Sequence, residues 1–202
     1  MIVPPPFGRG QRIGLFGGSF NPAHRGHSAV ALFALHKLRL DWVWWLVAPQ
    51  NPLKDRRDYS DYEERLDLAR KIARHPRFIV TDIERRLGTL ATAVTLSRLS
   101  HVLAQGRFVW IMGADSFANL HHWNDWTQIP ETLPLAVVAR PGFSLRALES
   151  PAALRYVHNR FAISDAPLLA DMPPPVWVFI PMPLRTESST AIRKNRHSAV
   201  IR

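Results

Sequence analysis

A chain of 202 residues is long enough for one domain with a real core, and its hydrophobic fraction of 47% can fill that core. It contains no cysteine, which excludes disulfides and thiolate metal sites. Lys and Arg outnumber Asp and Glu by 26 to 16, a formal +10, yet no block of five or six like charges occurs. The balance therefore reads as a solvated basic surface, or as a field that draws in polyphosphates, rather than as a nucleic-acid groove.

The predicted elements run in a simple order. Residues 1–11 are Pro-rich and read as a flexible N-terminal segment with no signal-peptide character, ahead of a single domain over 12–202. Ile13–Phe16 is a first short strand, and a helix is expected over Ser28–Arg39. Trp42–Ala48 is a continuous apolar run of the kind that a buried parallel strand shows. It is far shorter than the ~20 residues that cross a bilayer, so a soluble, cytoplasmic protein is expected. A helix follows over Asp61–Arg74, where Leu66, Ala69 and Ala73 recur at helical spacing. Then come strand Phe78–Thr81, helix Thr92–Ala104, strand Phe108–Met112, helix Ser116–His121, strand Leu135–Ala139, helix Pro151–Phe161 and strand Val176–Ile180. Strands alternating with helices predict an α/β fold, a Rossmann-like parallel sheet with helices on both faces. Ligands of such sheets bind beyond the carboxyl ends of the strands, which directs attention to the loops after Phe16, Ala48 and Met112 and to the segment after Ile180.

The first of those loops is the most informative. Gly17-Gly18-Ser19-Phe20-Asn21-Pro22-Ala23-His24-Arg25-Gly26-His27 sets a glycine turn and two histidines three residues apart between a strand and a helix. A helix N-terminus presents unpaired N–H groups and a positive partial charge, and two imidazoles on its first turn share one face. The stretch reads as a nucleotide-phosphate site. A P-loop is excluded, because no Gly-Lys-Ser/Thr follows Gly17, and Gly8-Arg9-Gly10 precedes the strand and lacks the dinucleotide spacing. Zinc at His24 and His27 ranks well below phosphate, since the helical zinc-protease glutamate is missing and no third ligand is evident.

The same stretch resembles the first signature of the HxGH adenylyltransferases, and Ser188-Ser189-Thr190-Ala191-Ile192-Arg193 resembles their second. With Pro49-Gln50-Asn51-Pro52-Leu53-Lys54, Gly113-Ala114-Asp115 and a tryptophan at 123, the set is similar to the nicotinate-nucleotide adenylyltransferases over about 12–196. That resemblance implies transfer of AMP from ATP to nicotinate mononucleotide, with pyrophosphate released and no protein nucleophile. It implies that His24 and His27 hold the triphosphate and stabilise charge on its bridging oxygens. It gives Arg193 the β- or γ-phosphate, a task that suits a planar guanidinium. Gly17, Gly18, Ser19, Phe20 and Gly113 would bring backbone to ATP, and Ser188, Ser189 and Thr190 would add hydroxyls and N–H groups at a helix start. Asp115 would bind the adenosine ribose; on sequence alone it reads equally as a helix N-cap. Lys54 would reach a phosphate, Thr92 would offer a backbone N–H to the nicotinate carboxylate, and Trp123 would stack on the pyridine ring. Without the resemblance these three read as a solvated loop lysine, a helix-start residue and a core aromatic. Mg²⁺ is expected on the ATP phosphates, with no protein metal site assigned.

Alternatives stay open. Ala91-Thr92-Ala93-Val94-Thr95-Leu96 matches the family's Tyr-Thr-x-Asp-Thr-Leu only in its threonines and leucine, so nicotinamide mononucleotide and phosphopantetheine remain candidate acceptors. A basic nucleic-acid-binding protein and a nucleotide-binding relative without turnover are the rivals from other classes. Expected partners are the two nucleotide substrates, with no nucleic acid and no membrane, and with homo-oligomerisation undecided.

Overall fold

The structure, a computed structural model, describes residues 3–49, 60–139 and 142–182. Seven strands form one parallel sheet: β1 (Arg12–Gly18), β2 (Trp42–Val47), β3 (Phe78–Thr81), β4 (Arg107–Gly113), β5 (Leu135–Val138), β6 (Arg160–Phe161) and β7 (Trp177–Ile180), in the order β3-β2-β1-β4-β5-β7-β6. The helices are α1 (Arg25–Lys37), α2 (Tyr62–Ile72), α3 (Ile83–Leu87), α4 (Thr92–Arg98), α5 (Ser100–Leu103), α6 (Ala114–Ala118), α7 (Gln128–Thr132), α8 (Ser144–Leu148) and α9 (Pro151–Arg155).

Strand side chains alternate between two apolar cores, which explains why the central strands are hydrophobic at every position. Val43, Trp45 and Val47 of β2 face one core with Val109 and Ile111 of β4, covered by α1, α2 and the 3-10 segment Ile163–Asp171. Trp44 and Leu46 face the other with Phe108, Trp110 and Met112, covered by the helices from α3 to α9. The predicted α/β architecture is thus present, with helices on both faces.

Several boundaries moved for physical reasons. The helix expected over Thr92–Ala104 is divided at Leu99, whose N–H is shared between the carbonyls of Thr95 and Leu96. The helix expected over Pro151–Phe161 ends at Arg155, and Arg160–Phe161 instead pairs with β7. Helices α3, α7 and α8 have five residues each, too few to display a period. The Pro-rich lead-in, expected to be flexible, carries an aromatic anchor: the Phe7 ring meets Trp44 and Phe108 edge-on, at 5.6 and 5.5 Å.

Candidate active site

Strands β1 and β4 are neighbours, and the chain leaves them toward opposite faces, to α1 on one side and α6 on the other. Such a switch point opens a crevice at the carboxyl ends of the strands. Residues 17–27 lead from the end of β1 into α1, and Gly113 and Asp115 lead from the end of β4 into α6.

Gly17 must lack a side chain. A Cβ there would lie 2.5 Å from the indole of Trp110, which crosses from β4 into that space. Gly18 and Ser19 carry the half-buried backbone onward to Phe20, which sits at a positive φ of 44°. The Phe20 ring is buried. It stacks on Trp45 at 5.1 Å and meets Phe16 and His27 edge-on at 5.4 and 5.0 Å. Phe20 can therefore turn only backbone toward a ligand. Asn21 is also buried, and its Oδ1 accepts from the Ser60 N–H at 3.2 Å.

Helix α1 begins at Arg25, three residues before the expected Ser28, because the two histidines cap it. His24 is the N-cap, and its Nδ1 accepts from the Gly26 N–H at 3.1 Å. His27 reaches back, its Nδ1 accepting from the His24 N–H at 3.2 Å. This is a capping box in which imidazoles do what Ser/Thr and Glu/Gln commonly do. A backbone N–H can only donate, so each Nδ1 holds a lone pair and the ring proton of each neutral imidazole sits on Nε2. The rings lie side by side, their centroids 3.9 Å apart. One local device thus fixes the tautomer and the orientation of both, and the two imidazoles share one face, as their spacing predicts.

Helix α6 starts at Ala114 with Gly113 as its N-cap, so Asp115 is not the helix N-cap that the sequence alone also allowed. It lies half-buried in the first turn, where negative charge suits the helix dipole. Trp123 ends the 3-10 turn Leu120–His122 and is half-buried against the second core. Trp126 nearby is engaged with Tyr156 edge-on at 6.2 Å and with the Arg155 guanidinium at 5.9 Å. Thr92 opens α4, which packs against α7 on the same face of the sheet as Trp123. The remaining expected site residues, Lys54, Ser188, Ser189, Thr190 and Arg193, lie outside the described residues.

Two buried charged residues went unnoticed in the sequence, Arg65 and Glu84. Both sit among apolar neighbours on helices, and that position is their only sequence signal. Glu84 of α3 is buried with Thr89 and Thr95. Thr95 Oγ1 donates to the Glu84 carboxyl at 3.3 Å and lies 2.7 Å from Thr89 Oγ1, which ties the turn between α3 and α4. Burial pushes the Glu84 carboxyl up from its ordinary 4.5 to about 7, against the smaller lowering effect of the Thr95 hydroxyl. The folded chain therefore holds a proton that the unfolded chain has already lost. The resulting stability is complete below pH 4.5 and disappears as pH rises through 7. The difference amounts to about 3 kcal/mol. Replacing Glu84 by Gln, which keeps the neutral shape, is expected to flatten the fall in melting temperature between pH 5 and 8.5. Identical pH slopes for both proteins in thermal melts would refute it.

The cytidylyltransferase-like family model matches residues 15–195. A "Probable nicotinate-nucleotide adenylyltransferase" of Caulobacter sp. (strain K31) is 50% identical over 182 residues, covering 90% of this chain and 96% of that protein. One of Rhizobium meliloti (strain 1021) is 49% identical over 181 residues, covering 90% and 96%. Among solved structures, the fold is similar to Plasmodium falciparum nicotinic acid mononucleotide adenylyltransferase complexed with NaAD. That match has TM-score 0.67 at 16% identity and covers 91% of this chain and 83% of that one.

Proposed function

We infer the function from one premise: the chain belongs to the cytidylyltransferase-like family and, within it, to the nicotinate-nucleotide adenylyltransferases. It is a nucleotidyltransferase of NAD biosynthesis that transfers AMP from ATP to nicotinate mononucleotide, giving nicotinate adenine dinucleotide and pyrophosphate. The observation that carries this reading is the histidine pair at the switch point, whose Nδ1 atoms both accept from backbone N–H groups and whose rings lie 3.9 Å apart.

The chemistry needs no protein nucleophile. A 5′-phosphate oxygen of the mononucleotide attacks the α-phosphorus of ATP, the bond from that phosphorus to the bridging oxygen breaks, and pyrophosphate leaves with the electron pair. What a protein can add is alignment and stabilisation of the charge that grows on the bridging and non-bridging oxygens. In our reading His24 and His27 donate from Nε2 to the triphosphate, and Arg193 takes its β- or γ-phosphate. The backbone of Gly17, Gly18, Ser19 and Phe20 and the hydroxyls and N–H groups of Ser188, Ser189 and Thr190 line the same tail. Asp115 receives the adenosine ribose, with Gly113 bringing backbone to ATP; Lys54 takes a phosphate of the acceptor, the Thr92 N–H its carboxylate and Trp123 its ring. ATP enters as its Mg²⁺ complex. The ion would be carried mainly by phosphate oxygens and water. We place the protein in the cytoplasm; among the described residues, no helix is long and apolar enough to cross a membrane.

Pyrophosphate release from ATP, measured with nicotinate mononucleotide, nicotinamide mononucleotide and phosphopantetheine in parallel, tests the assignment. The acid mononucleotide is expected to be turned over best; preference for the amide, or silence with all three, overturns it. The acceptor subsite has its own test. Stacking of a flat ring on an aromatic side chain is worth about 1–3 kcal/mol, so Trp123→Ala is expected to raise KM for the mononucleotide on the order of tenfold. KM for ATP should hardly move, and a shift confined to ATP would show that Trp123 does not stack on the acceptor.

A further inference from the structure

Arg65 is 2% exposed, one of the largest fully buried side chains of the described residues, although it carries a full charge. It lies on the inward face of α2, one residue before Leu66 of the first core. Its guanidinium is spent on backbone carbonyls. Nη1 donates to Ser19 O at 2.6 Å and to Ala48 O at 2.8 Å, Nη2 donates to Pro49 O at 2.6 Å, and Nε donates to Ser60 O at 3.3 Å. The Tyr62 ring lies along it at 5.2 Å, with the Tyr62 hydroxyl donating to Val47 O at 3.2 Å. Hydrogen bonds from a charged donor are the short, strong ones, and a planar fork can serve several acceptors at fixed angles.

The acceptors belong to two different loops. Ser19 is in the turn after β1, the turn that leads into the histidine pair, and Ala48 and Pro49 begin the loop after β2. Ser60 stands at the start of α2 and is itself bonded through its N–H to Asn21 of the first turn. Arg65 is thus the point at which both loops are fastened to one helix. The bond to Ser19 has a further consequence. In a trans peptide the C=O and the following N–H point in opposite directions. Holding the Ser19 carbonyl toward α2 therefore turns the Phe20 N–H away from α2, and it does so at the residue held at positive φ.

We propose that Arg65 is a positioning residue for ATP: by gripping the carbonyls of Ser19, Ala48 and Pro49 it sets the backbone of the phosphate-binding turn and its distance from the neighbouring loop. The inference rests on the reading of residues 17–27 as the triphosphate site. Lysine cannot replace it, because a single ammonium offers three donors at one point and cannot span carbonyls of two loops. Misplacing a reacting group by about 1 Å costs on the order of 10²-fold in rate.

The test compares Arg65→Lys with Leu66→Ala, a neighbour on the same helix that only fills the core. Steady-state kinetics for each substrate, ATP binding by calorimetry and thermal melts are measured at a temperature where far-UV circular dichroism shows each protein folded. For Arg65→Lys we expect kcat/KM for ATP to fall roughly 10- to 100-fold and ATP binding to weaken, with KM for the mononucleotide little changed. Leu66→Ala should lower the melting temperature and leave the kinetic constants in place. Arg65→Lys with wild-type constants and a lowered melting temperature would make the residue merely structural and overturn the proposal. So would failure of Arg65→Lys to fold at any temperature at which Leu66→Ala folds. A wild-type protein that releases no pyrophosphate would overturn the parent reading, and this inference with it; wild-type turnover with an indifferent Arg65→Lys would sink this inference alone.

Discussion

Replacing His24 by Ala is expected to lower kcat by roughly 10²–10³, the scale of losing one donor aimed at developing charge. The geometry makes the experiment less simple than it looks. His24 caps α1 as well as serving the triphosphate in the proposed reading, and its Nδ1 is the acceptor for the Gly26 N–H. Loss of an N-cap costs about 1 kcal/mol, so the alanine variant loses stability and activity together. Asn is the control that separates them. Its short side chain is among the best N-caps, yet it brings no imidazole proton to the crevice. His24→Asn should recover the melting temperature of the native chain and stay as inactive as His24→Ala. The same logic applies at His27. Gln at that position can still accept from the His24 N–H, as the third residue of a capping box does, and kcat should remain depressed by about the same factor. Pyrophosphate release and thermal melts on these three variants decide it. Wild-type turnover in His24→Asn would remove the imidazole from the reaction and leave it as a helix cap.

The histidine pair was legible because a glycine turn, a strand before it and a helix after it all speak through residue identity. The double role of the pair was not. That both Nδ1 atoms are occupied by backbone follows from the φ and ψ of residue 24, which composition does not reveal. The strands were legible for a similar reason: Trp42-Val43-Trp44-Trp45-Leu46-Val47 is apolar at every position because both of its faces meet a core. Three five-residue helices escaped, being shorter than two turns of any pattern. Gly17 looked like a glycine that lets phosphate approach. The structure adds the Trp110 indole lying where its Cβ would be, a cross-strand neighbour fixed by register rather than by sequence distance. Arg65 was hidden most completely. It counted as one of many scattered basic residues, and its acceptors are main-chain carbonyls, which every residue has and no motif records.

Phe20→Ala is expected to destabilise the protein by about 3–5 kcal/mol, the range for emptying a buried aromatic site. Since a domain holds only about 5–15 kcal/mol in total, this is a severe change. The balance at this residue can be argued from magnitudes. A non-glycine residue in the left-handed region costs roughly 1–2 kcal/mol, and Phe20 carries that cost at φ 44°. Against it stand the burial of the ring and contacts with Trp45, Phe16 and His27, each aromatic pair adding about 0.5–1.5 kcal/mol beyond its area. The contacts win, which is why the turn keeps a phenylalanine where glycine would relax the backbone. The cost to catalysis follows from the same contacts. The ring lies between Trp45 of the core and the His27 imidazole, so removing it leaves a space into which His27 can swing. Activity should therefore fall by more than the unfolded fraction explains. Urea unfolding gives that fraction, and pyrophosphate release at a low temperature gives the rate per folded molecule. Phe20→Leu, which fills most of the space, should lie between the native chain and the alanine variant in both measurements. If Phe20→Ala turned over at the native rate per folded molecule, the aromatic column would be a piece of the core and no support for the site.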